Sequence, residues 1–435
     1  MTDHQTLSLI LGLIRSGAAV TRPDLARRTG LGRTIITQRV DHAIRAGLVA
    51  EGEPAPSTGG RPSRTLRIAS DHGVILGVLF GASQLHAAVT DLDGTVLADR
   101  RLAWDIEAGP EASLDLLHQV SAQLLTPQLA PRLWSVCVGV PGPVDFARGT
   151  AVQPPIMAGW HAFPLRNRLE AHYDVPVWID NDANLMALGV WDRTRQSAGD
   201  NVLLVKASTG IGLGLISRGR LHRGARGSAG DLGHTIVAEE SRVRCRCGKY
   251  GCLEALAGGW ALGRDARAAA LGGRSSFLAE RLDASGGPLA VTDVLEGCRS
   301  GDRVCTELIT RAGELVGAQL ATLVSVFNPS TVYLTGLLAQ VGEAFRAPVA
   351  DTVARRSLPL AVDELVITGS GLDGCEGVIG AAALAVDELT QPDMLGRWLS
   401  GGNPRGGRAR WTEDAELASA DRPRRRSVPG KGTPP

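Results

Sequence analysis

Residues 230–254 read GDLGHTIVAEESRVRCRCGKYGCLE. One imidazole, His234, and three thiols, Cys245, Cys247 and Cys252, make a Cys3His set of the kind that holds tetrahedral Zn2+. Glycines 248 and 251 let the backbone fold around an ion. Four protein ligands fill the coordination sphere, so the expected cofactor is a structural zinc with no open position for water. The competing reading is a cluster of buried, unmetallated thiols. Three of the chain's seven cysteines fall within eight residues, which argues for the metal. The other four, Cys137, Cys298, Cys305 and Cys375, lie singly in apolar or helical contexts and read as ordinary thiols.

On both sides of this stretch the pattern is α/β. GVILGVLFGASQLHAAVTDLDGTVLADR at 73–100 reads as a hairpin plus a third strand, with turns near Gly81-Ala82-Ser83 and Asp93-Gly94. SVCVGVPGPV at 135–144 is a buried strand ending in a Gly/Pro loop. VPVWIDND at 175–182 is a strand that runs into the helix ANLMALGVW. NVLLVKASTGIGLGLISRG at 201–219 is a hairpin with a Gly-rich turn. Residues 303–327 carry a long amphipathic helix stopped by Asn328-Pro329. STVYLTG at 330–336 is a strand, and GCEGVIGAAALAVDEL at 374–389 is a helix with a Gly-rich entry. At the junction near 180, Asp180-Asn181-Asp182-Ala183-Asn184 could supply a proton acceptor and an amide to a ligand hydroxyl. Asn and Asp also cap helices, so this pentapeptide alone does not decide between the two roles.

The remaining composition describes an ordinary globular chain: 435 residues, formal net charge +1 and 44% hydrophobic residues. At ~100–200 residues per domain it predicts two to four domains. The absence of a long apolar run speaks against a membrane protein, and MTDHQTLSLILGLIRSG does not read as a signal peptide, so the expected location is the cytoplasm. Glycine is abundant, 54 of 435 residues against roughly 7% on average.

The even charge balance hides a basic head. Residues 1–70 hold ten Arg against five acids. Leu7, Ile10, Leu11 and Ile14 repeat at helical spacing. Thr21, Pro23 and Gly30 delimit a short second helix. A third spans 32–46, with Ile35, Ile36, Val40, Ala43 and Ile44 on one face. GLVAEG and SRTLRIA follow as two strands around EPAPSTGGRP. This order is a winged helix-turn-helix. Its expected DNA-binding residues are Arg33, Thr34, Thr37, Gln38 and Arg39 on the last helix, with Gly60 and Arg61 at the wing tip aimed at a minor groove. A helical dimerisation module with a merely solvated basic face is the plainer alternative. Beyond 391 the chain turns rich in Gly, Pro and Arg. Eight basic residues from Arg405 to Lys431 oppose Glu413, Asp414, Glu416 and Asp421, and the tail 391–435 is expected to be disordered.

Residues 1–390 resemble the ROK family of repressors, open reading frames and sugar kinases, in its transcriptional-regulator branch. The resemblance is carried by GGRP at 59–62, GVPGPV at 139–144, IDNDAN at 179–184, STGIGLGL at 208–215, GDLGH at 230–234, CRCGKYGCLE at 245–254 and GVIGAAALA at 377–385. It implies an α/β chain in which a winged helix-turn-helix (1–70) precedes a two-lobed actin-like domain. The smaller lobe would span 71–185, and the larger lobe 186–390 would hold the zinc site and send its final helix back to the smaller lobe. The implied ligand-binding residues are Asn181, Asp182, Asp231, His234 and Glu254. Asp182 matches the family's catalytic base, and His234 would offer one ring nitrogen to zinc and the other to a sugar. Position 231 is usually Glu in sugar-binding members, and QPPIM at 153–157 stands where many sugar kinases offer an Asn.

The kinases of the family open their first hairpin with Asp-x-Gly-Gly-Thr-Lys, which holds Mg2+ and phosphate. Here Leu79, Ala82 and Gln84 stand in the aligned stretch. A leucine cannot bind Mg2+ even through water. The chain is therefore read as a non-enzyme with a vestigial base. It is expected to be a DNA-binding repressor that answers to a sugar or sugar derivative and grips operator DNA as a homodimer or homotetramer. The rival readings are an active ATP-dependent sugar kinase and a ROK regulator that no longer binds sugar.

Overall fold

The computed structural model describes residues 2–55 and 63–406. Gly60 and Arg61 of the expected wing, and the basic stretch from 407 onward, lie outside the described residues. The head comprises α1 (Asp3–Arg15), α2 (Arg22–Thr29), α3 (Arg33–Arg45), β1 (Val49–Pro54) and β2 (Arg64–Ile68). Thr2 and Gln5 form a capping box on α1. Thr21 accepts from the Asp24 amide at the start of α2, and Gly30, at φ +70°, closes it. Leu7, Ile10, Leu11, Ile14, Leu25, Ile36, Val40 and Ala43 are buried together. β1 and β2 pair antiparallel, Val49 opposite Ile68.

The body follows as β3 (Val74–Phe80), β4 (Gln84–Asp91), β5 (Val96–Ala103), α4 (Pro110–Leu124), β6 (Leu133–Val140), β7 (Val144–Asp145), β8 (Thr150–Ala151), α5 (Leu165–Tyr173), β9 (Val177–Asn181) and α6 (Asp182–Ala198). Next come β10 (Val202–Ala207), β11 (Ile211–Ser217), β12 (Arg220–Leu221), α7 (Leu253–Ala257), α8 (Gly259–Leu271), α9 (Ser276–Ser285), α10 (Val291–Arg299) and α11 (Arg303–Phe327). The chain closes with β13 (Thr331–Thr335), α12 (Glu343–Arg356), α13 (Pro359–Val362), β14 (Val366–Gly369), α14 (Glu376–Leu389) and α15 (Pro392–Trp398). Among the described residues no helix is long and apolar enough to cross a membrane.

Two five-stranded sheets organise the body, ordered β5-β4-β3-β6-β9 and β12-β11-β10-β13-β14. Each has the same plan. Its first three strands pair antiparallel, and two more add in parallel beside the first. The central strands β3 and β6 are buried along their whole length, as parallel strands covered on both faces must be. α14 packs on β3, β4 and β6 of the first sheet, α6 packs on β10 and β11 of the second, and the two helices pack on each other. They meet at glycine. A Cβ on Gly189 would lie 1.9 Å from the Glu376 carbonyl oxygen, and one on Gly380 would lie 1.7 Å from that of Leu185. Only glycine lets the two backbones approach so closely.

The expectation of a wholly disordered tail is corrected for its first part. Residues 392–398 form α15, which packs against α1. Trp398, 1% exposed, lies against Trp134 with ring centroids 5.3 Å apart and donates its indole N–H to the Leu389 carbonyl at 3.0 Å. Met394, Leu395, Trp398 and Leu399 form an apolar knot within a Gly/Pro/Arg-rich stretch. Their burial outweighs the average polarity of the segment.

Candidate functional site

The segments after the C-terminal ends of β3, β6, β9, β10 and β13 line one open cleft. Ligands of α/β proteins commonly sit at the carboxyl ends of such strands. Asn181, Asp182, Asp231, His234 and Glu254 all reach this cleft. So do Gly81, Ala82, Ser83 and Gln84 of the first hairpin turn, and Ser208–Gly212 of the second. Pro155 and Ile156 supply apolar wall where the sequence lacks the Asn.

The five ligand candidates differ in what they have free. Asn181 caps α6: its Oδ1 accepts from the amides of Ala183 and Asn184, and its Nδ2 donates to the Gly142 carbonyl. Its side chain is therefore committed to fixing the start of α6. Asp182 is buried, with Oδ1 accepting from the Ala183 amide and Oδ2 paired with the Lys206 ammonium. Glu254 accepts the Ile211 N–H at 3.1 Å, which holds it under the second hairpin turn. Asp231 is exposed on the cleft wall. The neighbouring Asp180 is buried and bonded to Arg223 and Asn184, so its role is structural.

Lys206 is the cleft residue that sequence reasoning missed. It interrupts the apolar strand Val202–Ala207, and a lone buried lysine almost always has a partner or a function. That interruption was the available signal. The pair sits on adjacent secondary structures, Asp182 at the start of α6 and Lys206 on β10, with side chains 6% and 14% exposed. Removing one member of a buried pair leaves the other uncompensated. Lys206→Met is expected to lower unfolding free energy by about 3 kcal/mol in a urea melt, and adding Asp182→Asn to recover part of it. Equal stability of wild type and Lys206→Met would refute the pair's importance.

Around the first hairpin turn, Leu79, Ala82 and Gln84 stand at the positions where the family resemblance places the kinase residues. Leu79 does not line the cleft. It is 6% exposed and fills the space that a Cβ on Gly377 would need, at the entry to α14. Three amides on this side of the cleft are already bonded within the protein: Ser208 N–H to the Gly210 carbonyl, Ile211 N–H to Glu254, and Leu337 N–H to the Ser208 hydroxyl. Backbone amides bind phosphate only when they are free to point at it.

Behind the cleft, the ligand atoms of His234, Cys245, Cys247 and Cys252 lie within 4.8 Å of one another. Cys245 Sγ is 3.4 Å from His234 Nδ1, and the sulfurs of Cys247 and Cys252 are 3.7 Å apart. Bonds of ~2.3 Å to sulfur and ~2.0 Å to nitrogen give tetrahedral edges of about 3.5–3.8 Å, so the donor set fits zinc. The sulfur separation far exceeds a disulfide bond of ~2.05 Å. His234 turns Nδ1 to the sulfurs and also lines the cleft, which leaves Nε2 for a ligand. The same motif joins two cleft segments: Leu253 N–H bonds the Thr235 carbonyl, and Glu254 N–H bonds the Gly233 carbonyl. Zinc bound here would hold the His234 and Glu254 backbones in register.

On the head, Arg33, Thr34, Thr37 and Gln38 are exposed on one face of α3. Arg39 departs from this set. It is partly buried and its guanidinium pairs with Asp3 of α1. Asp41 is taken up by Arg22, which also bonds Glu51 and so ties α2 to α3 and β1.

Comparison with known proteins agrees with this architecture. The chain is 27% identical over 385 residues to the "Xylose repressor" of Caldicellulosiruptor bescii, covering 88% of this chain and 95% of that protein. It is 30% identical over 252 residues to the "Glucokinase" of Halalkalibacterium halodurans, covering 58% of this chain and 76% of that one. The crystal structure of a "ROK family transcriptional regulator, homolog of E.coli MLC protein" superposes with a TM-score of 0.71 at 23% identity, over 90% of this chain and 99% of that one. Residues 75–388 match the description "ROK family", and the chain therefore belongs to the ROK family.

Proposed function

We propose that this chain is a sugar-responsive ROK transcriptional repressor. Its head binds double-stranded operator DNA as part of a homodimer or homotetramer, and a sugar or sugar derivative in the cleft changes that affinity. The observation that carries the reading is the joining, on one chain, of an exposed polar recognition face on α3 to a kinase-like cleft whose metal position is a leucine packed into the core. Full-length similarity to a xylose repressor supports it. The ligand contacts are Asp182, Asp231, Glu254 and Nε2 of His234, with Asn181 setting the helix that presents Asp182.

Enrichment of bound duplexes from a random pool, followed by gel shifts at moderate salt with D-xylose and D-glucose, tests it. A sequence-preferring complex that sugar weakens is the expected result. Absence of any sequence preference would overturn it. A sugar kinase is the second reading, favoured by the glucokinase similarity. Phosphoryl transfer depends on metal positioning and charge neutralisation, which Leu79, Ala82 and Gln84 do not supply. No hexose phosphorylation is expected with ATP and Mg2+. Turnover abolished by Asp182→Asn would establish the kinase instead.

A further inference from the structure

We infer that Arg15 is the positioning residue through which the angle between the two lobes sets the orientation of the DNA-binding head; this rests on the regulator reading above. Arg15 is the last residue of α1, and its guanidinium spans two carboxylates. Nη1 bonds Asp387 of α14, and Nη2 bonds Asp192 of α6 at 3.0 Å. These helices serve different lobes: α14 packs on the first sheet, whereas α6, which leaves the first sheet at the end of β9 and touches β6 and β9 there, packs mainly on the second. One side chain of the head therefore holds an arm of each lobe.

The contact is built for more than adhesion. Arg195 of α6 donates to the Arg15 backbone carbonyl and also pairs with Asp192 at 3.5 Å, so α6 grips the end of α1 twice. The side chains of Arg15 and Asp192 are 13% and 11% exposed, too enclosed for water to replace that contact cheaply, whereas Asp387 is half-exposed. Burial opposes the charge on Arg15, but Asp387 and Asp192 more than offset it and raise its pKa above the ordinary value. A planar guanidinium can serve two carboxylates at once in fixed directions, which an ammonium cannot.

The same helices start at or beside the cleft. α6 begins at Asp182, and ten residues at 1.5 Å each place Asp192 about 15 Å farther along a stiff rod. α14 begins at Glu376, whose carboxylate bonds Thr335 and Ser370 of the second lobe. The rods cross at Gly189 and Gly380, backbone on backbone. Closing the lobes on a ligand must turn or slide one rod over the other about this crossing. Asp192 and Asp387 lie beyond it, on the side of the head. Any change in their separation is imposed on Arg15 and hence on α1.

The test uses the full chain, the variants Arg15→Gln and Arg15→Lys, and an operator duplex selected by the wild type. Operator affinity is measured with and without D-xylose and D-glucose, sugar binding by thermal shift, and hydrogen exchange of residues 182–190 with and without operator. Arg15→Gln is expected to keep operator affinity within about three-fold and to keep sugar binding, while the wild-type response to sugar, about 5–150-fold for a typical coupling, falls below about two-fold. Arg15→Lys should restore thermal stability without restoring the response. A response in Arg15→Gln equal to wild type overturns the inference.

If the wild type binds operator but neither sugar alters it, the sugar half of the functional reading fails, and exchange decides the coupling. Linkage is reciprocal, so operator must change protection of residues 182–190 in wild type and not in Arg15→Gln. The same change in both, or none in wild type, overturns the inference. Failure of the wild type to select any operator would sink the regulator reading itself.

Discussion

Cys252→Ser is expected to strip the protein of zinc and to lower its melting temperature by about 6–12 °C. Cys252 is fully buried, and no water can take its place in the coordination sphere. Structural zinc sites bind with ~10–16 kcal/mol of apparent free energy in small domains. A loss of only about 3 kcal/mol here gives the stated shift for a lobe of this size. The effect on the ligand response should be larger still. The loop that carries the thiols holds the chain around His234 and Glu254 through backbone bonds from Leu253 to Thr235 and from Glu254 to Gly233, so a loosened loop would misplace two proposed ligand contacts together. Metal analysis of freshly purified, reduced protein should find about one zinc per chain in wild type, and well under half of that in the variant. Wild-type protein that contains no zinc yet melts and responds normally would remove the metal from the account.

The second large effect belongs to α3. Arg33 and Gln38 are exposed, and their planar groups suit bidentate contacts to guanine and adenine edges in the major groove. Each such contact contributes about 1–3 kcal/mol of discrimination, so Arg33→Ala combined with Gln38→Ala should weaken binding to a selected operator about 100-fold or more. The helical content and the sugar-induced thermal shift should not change, because neither side chain supports the core. Arg39→Ala is the contrasting variant. Its guanidinium is occupied by Asp3, and it should alter operator affinity by less than about three-fold. Fluorescence anisotropy on one duplex compares the double variant with each of the three single substitutions. Equal loss in Arg33→Ala and Arg39→Ala, with none in Gln38→Ala, would mean that α3 contributes only general positive charge.

Much of this molecule is legible in its sequence, for identifiable reasons. Thr21, Pro23 and Gly30 bound α2 because capping chemistry is local. The Cys3His set is legible because metal ligands are few in kind and closely spaced. The cleft residues follow strand ends that their apolar runs reveal. What stays hidden depends on partners distant in the chain. Nothing near position 206 shows that its ammonium will meet Asp182, 24 residues earlier. Arg15 gives no local sign of Asp192 and Asp387. Leu79 stands out in the sequence as an apolar residue where the family's kinases carry an Asp, yet its packing against Gly377 emerges only when α14 returns to the first sheet. Trp398 escaped because composition averaged over a Gly- and Arg-rich stretch conceals four apolar residues that fold as a unit.

The seam between head and body has an evolutionary corollary. DNA-binding modules are often regarded as cassettes, free to be traded between sensors by recombination at a linker. Here Leu7, Leu11 and Ile14 share one apolar core with Trp134, Leu389 and Trp398, and α15 comes from the far end of the chain. A transplanted head would arrive without the helix that seats it, and a recipient would present the wrong surface to α1. Exchange of operator specificity in such a lineage is expected to proceed by substitution on the outer face of α3, with residues 3–15 and 392–399 inherited together.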